Sequence, residues 1–282
     1  METGISSSRR FASCLRWLGY HRILAWPKPT TLPLQRTPNM NRSHTAPTAI
    51  VTGASSGIGL GVTRSLLANG YRVVANARHA SAAGTLEASP ALVLVDGDVA
   101  DPETGAALTR TAVERFGAVD LVVNNAGIFI VKPFTDNSID DFQRLVATNI
   151  TGFFHVTQPA LRQMRSQGRG HVVTITTSQA SQPIRGVPAA LSLLTKGGLN
   201  SITRALAIEY ANEGVRLNAI APGIVDTPMH QATAHGFLQT LHPVERLASV
   251  DEIADAVLYL EKASFVTGEV VHVDGGAHAG RW

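Results

Sequence analysis

The feature that most constrains the fold is a glycine-rich turn between a short apolar run and an amphipathic segment. The turn reads Thr52-Gly53-Ala54-Ser55-Ser56-Gly57-Ile58-Gly59, and the amphipathic segment begins at Ile58. Gly53 permits the tight turn, Gly57 lets the backbone approach a pyrophosphate, and Gly59 allows close packing of the helix. The helix N-terminus offers free N–H groups and a positive dipole to an anion. The spacing predicts a phosphate-binding site, with a plain turn as the alternative.

The rest of the chain alternates short apolar runs with helical stretches. The pattern predicts strands at 49–51, 71–76, 91–95, 119–123, 171–175, 216–220 and 269–273. It predicts helices at 58–68, 102–116, 140–164, 189–212 and 253–260. Apolar strands separated by helices require a parallel sheet that is covered on both faces. We therefore expect an α/β fold, a doubly wound parallel sheet of the Rossmann type in a single domain, with its ligand crevice at the carboxyl ends of the strands.

The first 46 residues differ in charge from the remainder. They carry seven arginines and lysines against one acid, Glu2, so the other 236 residues hold 17 basic and 20 acidic side chains and a net charge of −3. The basic character thus belongs to the leader, and we expect no nucleic-acid partner. Residues 1–46 are predicted to be a disordered leader, an organelle transit segment, or the product of an upstream start, with Met40 as the true beginning. Residues 47–282 are the predicted cofactor-binding domain.

Three further classes of protein are disfavoured. The only cysteine, Cys14, lies in the leader, so the domain has neither a disulfide nor a cysteine-based metal site. His230 and His235 are spaced H-x₄-H without a helix-borne glutamate, and we expect no metal. No apolar run approaches the ~20 residues that cross a bilayer. A cytoplasmic location is predicted, with organelle import as the alternative if the leader is a transit segment.

The end of the second predicted strand bears on the choice of cofactor. The strand runs Val73-Val74-Ala75-Asn76-Ala77 and is followed by Arg78. An acid at this point would hold a ribose 2′-hydroxyl, whereas a cation can pair with a 2′-phosphate. Arg78 therefore favours NADP(H) over NAD(H), and an exposed loop arginine is the alternative.

Four more motifs follow the turn: Asp98-Val99, Asn124-Asn125-Ala126-Gly127, Pro222-Gly223 with Val225 and Thr227, and Val273-Asp274-Gly275-Gly276. With the T-G-x-x-x-G-x-G spacing of the turn, they resemble the short-chain dehydrogenase/reductase family, in the expected order over about residues 47–277. The resemblance implies a nicotinamide cofactor held by a set of residues carried over motif by motif. These are Gly53, Ser55, Gly57, Ile58, Gly59, Arg78, Asp98, Val99, Asn125, Ala126, Gly127, Lys196, Pro222, Gly223, Val225 and Thr227.

The family's catalytic tetrad of Asn, Ser, Tyr and Lys is matched incompletely. The resemblance implies that Asn149 holds a water, that Ser178 (with Thr177 as a fallback) bonds the substrate carbonyl, and that Lys196 binds the nicotinamide ribose. In the family pattern Tyr-x-x-x-Lys, however, the tyrosine position is Ser192. Residues four apart share a helix face, so Ser192 and Lys196 are expected to be neighbours.

This serine changes the expected proton chemistry. A tyrosine titrates near ~10, whereas an aliphatic hydroxyl is a much weaker acid. A positioned general acid contributes about 10²–10⁴ in rate. The candidate donors are a water relay from Lys196 and, when the substrate lid closes, His230. Ser192 as a small packing residue, Lys196 as a ribose ligand only and His230 as a solvated lid histidine are the alternatives.

We expect an NADP(H)-dependent oxidoreductase that interconverts a carbonyl compound and an alcohol with a non-standard proton donor. A non-catalytic cofactor-binding protein, or a dehydratase or isomerase on the same fold, are the alternatives. Met229, Phe237 and Leu241 suggest an apolar lid over a small-molecule substrate. The resemblance implies a homodimer or homotetramer formed through the long helices, with Phe153, Phe154 and Leu206 as candidate contacts.

Overall fold

A computed structural model describes residues 46–230, 233 and 235–280. The seven strands are β1 Thr48–Thr52, β2 Arg72–Ala77, β3 Leu92–Asp96, β4 Leu121–Asn124, β5 Gly170–Ile175, β6 Val215–Pro222 and β7 Val270–Val273. They form one parallel sheet in the order β3-β2-β1-β4-β5-β6-β7. The order reverses between β1 and β4, which confirms the predicted doubly wound α/β fold. The predicted leader lies, apart from Ala46, outside the described residues.

Helices connect the strands and cover the sheet. They are α1 Gly57–Ala68, α2 Pro102–Phe116, α3 Ile139–Leu145, α4 Gly152–Gln167, α5 Ala190–Tyr210, α6 His235–Gln239 and α7 Val250–Lys262. Local signals define α2, whose bounds match the prediction: the side chain of Asp101 accepts a hydrogen bond from the backbone N–H of Glu103, and Gly117 ends the helix with φ 86°. Proline at the first position and a left-handed glycine at the end are the usual limits of a helix.

The predicted helix 140–164 is helical but not uniform. Between α3 and α4, the segment Val146–Thr151 is a π-helix that contains Asn149. The hydrophobic period was right, since Phe153, Val156, Ala160 and Met164 are all buried. The apolar stripe that indicated the helix lies wholly within α4, after the π-helix, so it carried no sign of the wider turn.

Both faces of the sheet are buried. One face of β1 contributes Ala49 and Val51 to an apolar cluster with residues of α1 and α7. The other face contributes Ile50 to a cluster with residues of α2 and α4. Side chains alternate between the faces of a strand, so a strand covered on both sides must be apolar throughout. This requirement explains the continuous apolar runs in the sequence.

A buried polar cluster lies at the amino ends of β5 and β6, away from the carboxyl ends. His171 hydrogen-bonds Glu261 through Nδ1, and Nδ2 of Asn218 lies 3.0 Å from its Nε2. Tyr71 donates to Glu261 at 2.9 Å. Burial lowers the pKa of His171. Burial alone would raise the pKa of Glu261, but the bonds from His171 and Tyr71 and the charge of Arg216 hold it below its usual value. The cluster therefore contains a neutral imidazole and a carboxylate.

The cluster of His171 and Glu261 predicts that the folded protein becomes less stable as the pH falls. The unfolded chain protonates His171 as the pH falls through about 6.5, while the folded protein resists protonation, so the free energy of unfolding decreases with decreasing pH. One proton of difference gives a slope of up to about 1.4 kcal/mol per pH unit. Thermal unfolding between pH 7.5 and 5.5 is expected to show a shallower dependence in His171→Gln than in the wild type. Parallel curves for the two proteins would contradict the assignment.

The three residues expected at a subunit contact differ in how exposed they are. Phe153 is buried, and Leu206 packs against the core beside α4. Leu206 remains partly exposed, and Phe154 is 53% exposed. In the part of the chain that the structure describes, no helix combines the length and the apolar character needed to cross a membrane.

Candidate active site

A cleft of about 680 Å³ lies at the carboxyl ends of the central strands. The residues that follow β1, β2, β4, β5 and β6 all contribute to its walls. Because the strand order reverses between β1 and β4, the chain leaves these two strands in opposite directions and opens a crevice there. The cleft therefore lies where the sequence predicted the ligand site.

The glycine-rich turn forms one wall of the cleft. Gly53 has φ +64°, and a Cβ there would lie 2.8 Å from Nδ2 of Asn125. A Cβ on Gly57 would lie 3.2 Å from Cγ2 of Thr227, so the turn packs closely against the loop after β6 at this point. Ser56, the N-cap of α1, makes no side-chain hydrogen bond to the helix. The helix N-terminus, without a side-chain cap and next to the cleft, suits a dinucleotide pyrophosphate. Ser55 and Ile58 also line the cleft, and Gly59 packs against the backbone of Gly53.

The motif after β4 holds the turn in place. Nδ2 of Asn125 donates to the carbonyl oxygen of Thr52 at 2.9 Å. The hydroxyl of Thr52 accepts from the backbone N–H groups of Asn125 and Ala126 at 3.1 and 3.0 Å. Gly127 follows, where a Cβ would lie 3.0 Å from Nζ of Lys196. Asn125, Ala126 and Gly127 all line the cleft, so this motif joins the phosphate turn to the lysine.

The end of β2 provides an exposed cationic corner. Arg78 lines the cleft, is exposed, and forms no ion pair with any of the described residues. His79, which the sequence analysis did not single out, lines the cleft beside it. Asp98 and Val99 form the adjoining wall, and Asp98 accepts a hydrogen bond from Ala100 N–H at 2.9 Å. A free guanidinium at this corner suits a phosphate group.

The loop after β6 forms the opposite wall and is held by a histidine that sequence reasoning missed. Pro222, Gly223, Val225 and Thr227 line the cleft as predicted. Nε2 of His242 accepts the backbone N–H of Ile224 at 2.8 Å. Burial lowers the pKa of His242, which keeps the imidazole neutral and able to accept this bond. No spacing rule connects residues 224 and 242, so the sequence carried no signal for the contact.

Lys196 reaches the cleft floor from α5. Its side chain is buried, and Nζ donates to the carbonyl oxygen of Ile175 at 2.8 Å. Burial lowers the pKa of the ammonium to about 8. A cation that is partly stripped of water and has no carboxylate beside it loses its proton more readily than a surface lysine.

The residues that follow β5 line the cleft differently from the prediction for Ser178. Ser178 is 3% exposed and does not line the cleft, whereas Thr176 and Thr177 do. Ser178 is the first residue of a 3-10 turn, Ser178–Ala180. The hydroxyl of Thr177 accepts Gln179 N–H at 3.3 Å and donates to none of the described residues. Thr177, the fallback in the sequence analysis, therefore lines the cleft, and Ser178 does not.

Ser192 is not a cleft residue. Its side chain is fully buried, and its hydroxyl both accepts Ile130 N–H at 2.7 Å and donates to the Ile130 carbonyl at 3.0 Å. The hydroxyl thus pairs with both backbone groups of one residue in the loop after β4. Ser192 shares a helix face with Lys196 as expected, but its only hydroxyl proton is donated to Ile130 and its side chain does not line the cleft.

Asn149 sits in the π-helix, behind Lys196. Its Oδ1 accepts Ile128 N–H at 2.9 Å, and its Nδ2 donates to the Ile128 carbonyl at 3.0 Å and to the Thr195 hydroxyl at 2.9 Å. Asn149 and Lys196 share a cavity of about 10 Å³, which is close to the size of one water. Asn149 therefore supports the cleft floor rather than lining the cleft.

Only some of the residues predicted to form the lid line the cleft. Met229 and His230 line the cleft, but Phe237 and Leu241 do not. Leu241 is buried in a small apolar cluster with Ile224. Burial lowers the pKa of His230, so its imidazole is neutral near pH 7. In the described part of the chain, no group of three His, Cys, Asp or Glu side chains is arranged to hold a metal ion.

The fold is that of the doubly wound α/β class, and its cleft lies at the strand switch point, where proteins of this class bind their ligands. A protein-family model described as Enoyl-(Acyl carrier protein) reductase matches residues 53–278. The chain belongs to the short-chain dehydrogenase/reductase family, and its relatives are oxidoreductases.

Similar proteins span most of the domain. The 3beta-hydroxysteroid dehydrogenase 1 of Eggerthella lenta is 35% identical, with 81% of this chain and 92% of that protein covered. The L-xylulose reductase of Bos taurus is 34% identical, with 81% and 95% covered. Among solved structures, ElxO with NADP bound has a TM-score of 0.77 at 27% identity, with 83% of this chain and all of that chain covered.

Proposed function

We propose that the protein is an NADP(H)-dependent oxidoreductase that interconverts a carbonyl compound and an alcohol, with Lys196 as its proton donor. The observation that carries the proposal is the buried ammonium of Lys196, which lines the cleft and has a pKa of about 8. An acid whose pKa lies near the working pH is suited to proton transfer. When bound, the nicotinamide cofactor supplies a hydride, and the proton for the substrate oxygen must come from the protein.

The other candidate donors are weaker. The Ser192 hydroxyl is committed to Ile130. His230 is held neutral by burial and has no acidic proton to give near pH 7. The Thr177 hydroxyl has an unused proton and can donate a hydrogen bond to a carbonyl oxygen, which polarises it without transferring the proton. In this proposal Thr177 polarises the substrate, Lys196 protonates it, and Asn149 maintains the floor beside the lysine.

The preference for NADP(H) rests on Arg78 and is tested by one substitution. We expect Arg78→Ala to weaken NADPH binding by about 10–100-fold, the equivalent of one charged hydrogen-bond pair, and to change NADH binding little. Arg110→Ala, at an exposed position on α2, is the matched control. Dissociation constants from cofactor fluorescence measure both effects. An equal loss of affinity for NADPH and NADH would count against a 2′-phosphate contact.

One observation favours a second candidate, a cofactor-binding protein without catalysis. Among the described residues, no tyrosine lines the cleft. NADPH consumption with a panel of ketones and aldehydes separates the two functions. Oxidation of NADPH supports the oxidoreductase, binding without oxidation supports the non-catalytic protein, and product formation without cofactor consumption supports a dehydratase or isomerase.

We also propose a homodimer or homotetramer, which the exposed Phe154 on α4 supports. A small-molecule carbonyl compound or alcohol is the proposed substrate.

A further inference from the structure

Gln179 is a buried polar residue of the cleft that the proposed function does not use. It lies in the 3-10 turn directly after β5, is 4% exposed, and lines the cleft. Its Oε1 is buried and has no hydrogen-bond partner, and its side-chain amide bonds to none of the described residues. A buried amide that is left unpaired is costly, so such a group in a cleft indicates a ligand that pairs with it.

The surroundings of Gln179 indicate where that ligand group lies. The Thr177 hydroxyl accepts the backbone N–H of Gln179 at 3.3 Å, so the backbone of Gln179 is held beside the proposed polarising hydroxyl. The lining of the cleft also includes the apolar side chains of Phe129, Ile224 and Met229, which cannot pair with an amide. An unpaired carbonyl oxygen requires a donor, and a hydroxyl on the substrate supplies one.

We infer that Gln179 is a specificity-determining residue that accepts a hydrogen bond from a substrate hydroxyl adjacent to the reacting carbon. The substrate class is therefore the hydroxy ketones and the corresponding vicinal diols. This inference rests on the proposed function, because it takes the reacting carbon to lie beside Thr177 and Lys196. A site built to bond a hydroxyl rejects an analogue that lacks it, since the buried polar group is then left unpaired.

The test compares two ligands that differ only by a methyl group in place of a hydroxyl. The rates kcat/KM for 2-hydroxycyclohexanone and 2-methylcyclohexanone are measured with NADPH. The dissociation constants of trans-1,2-cyclohexanediol and trans-2-methylcyclohexanol are measured on the NADP⁺-loaded protein. We expect the wild type to prefer the hydroxyl compound in both assays by about 10–100-fold, as one recovered buried hydrogen bond implies.

Substitutions of Gln179 test whether this residue causes the preference for the hydroxyl compound. Gln179→Met keeps the length of the side chain without its amide, and we expect the preference to fall to within about 3-fold of unity. Gln182→Met, three residues further along the same loop and outside the cleft, is the matched control and is expected to keep the preference. If Gln179→Met does not bind NADPH, Gln179→Asn, which keeps the amide but shortens its reach, is expected to reduce the preference.

The outcomes separate the inference from the proposed function. A wild-type preference near unity, or one unchanged by Gln179→Met, overturns the inference even where ketones are reduced. Preferential binding of the diol without NADPH oxidation overturns the proposed function and supports the role of Gln179 in recognition.

Discussion

Replacement of Lys196 by methionine is expected to lower kcat for carbonyl reduction by about 10³-fold, which lies within the usual contribution of a positioned general acid. The lysine lies buried at the floor of the cleft, and its ammonium donates to one carbonyl oxygen, that of Ile175. Methionine has a similar length and removes the charge without opening a large cavity. The measurement is single-turnover oxidation of NADPH at saturating ketone, which separates the chemical step from cofactor binding.

The same lysine predicts the pH dependence of reduction. The donor must be protonated, and burial lowers its pKa to about 8. The rate of reduction is therefore expected to be constant below this value and to decline about tenfold for each pH unit above it. The reverse reaction, which needs the unprotonated amine, is expected to rise through the same value.

Lys262→Met is the control for loss of a lysine, because Lys262 is exposed at the end of α7. It should leave the rate and its pH profile unchanged. If Lys196→Met retained the wild-type rate while His230→Ala abolished it, the donor would be His230 and the proposal for Lys196 would be wrong.

Introduction of tyrosine at position 192 is expected to destabilise the protein without restoring a faster reaction. The Ser192 side chain is fully buried, and both of its hydrogen bonds go to the backbone of Ile130. A phenol there must displace the loop after β4 and break these bonds. Overpacking and two lost buried hydrogen bonds together cost about 3–5 kcal/mol. Chemical denaturation measures the free energy of unfolding, and NADPH oxidation measures the rate.

Two further variants separate the causes of the stability change expected in Ser192→Tyr. Ser192→Ala removes the hydroxyl without adding bulk and is expected to cost about 2 kcal/mol while leaving turnover nearly unchanged. Leu194→Tyr, at an exposed position on the same helix, is the control for the new side chain and should change stability little. A large gain in turnover in Ser192→Tyr would mean that the loop yields and that the wild-type site is impaired rather than rebuilt.

Local patterns accounted for most of the fold. The glycine spacing at 53, 57 and 59 predicted the phosphate turn, and the order of apolar runs predicted the sheet. Helix α2 was predicted at about 102–116, and the residues that limit it in the structure, Asp101 and Gly117, act within one turn of the helix. Such signals involve neighbours in the chain, so they can be read without coordinates.

The residues proposed to surround the substrate were predicted less well, because their geometry depends on contacts between distant segments. The choice between Thr177 and Ser178 turns on where β5 ends and a 3-10 turn begins. No sequence motif indicated that His242 contacts Ile224 or that the amide of Gln179 is unpaired.

The sequence by itself determined the doubly wound sheet, the glycine-rich turn after the first strand and the absence of a tyrosine four residues before Lys196, because residue type and short-range spacing suffice for these. Only the tertiary structure decided that the Ser192 hydroxyl belongs to the loop after β4 and that Thr177 and Gln179 line the cleft. Whether a hydroxyl or an amide is available for chemistry depends on which distant backbone groups already bind it, and packing alone settles that.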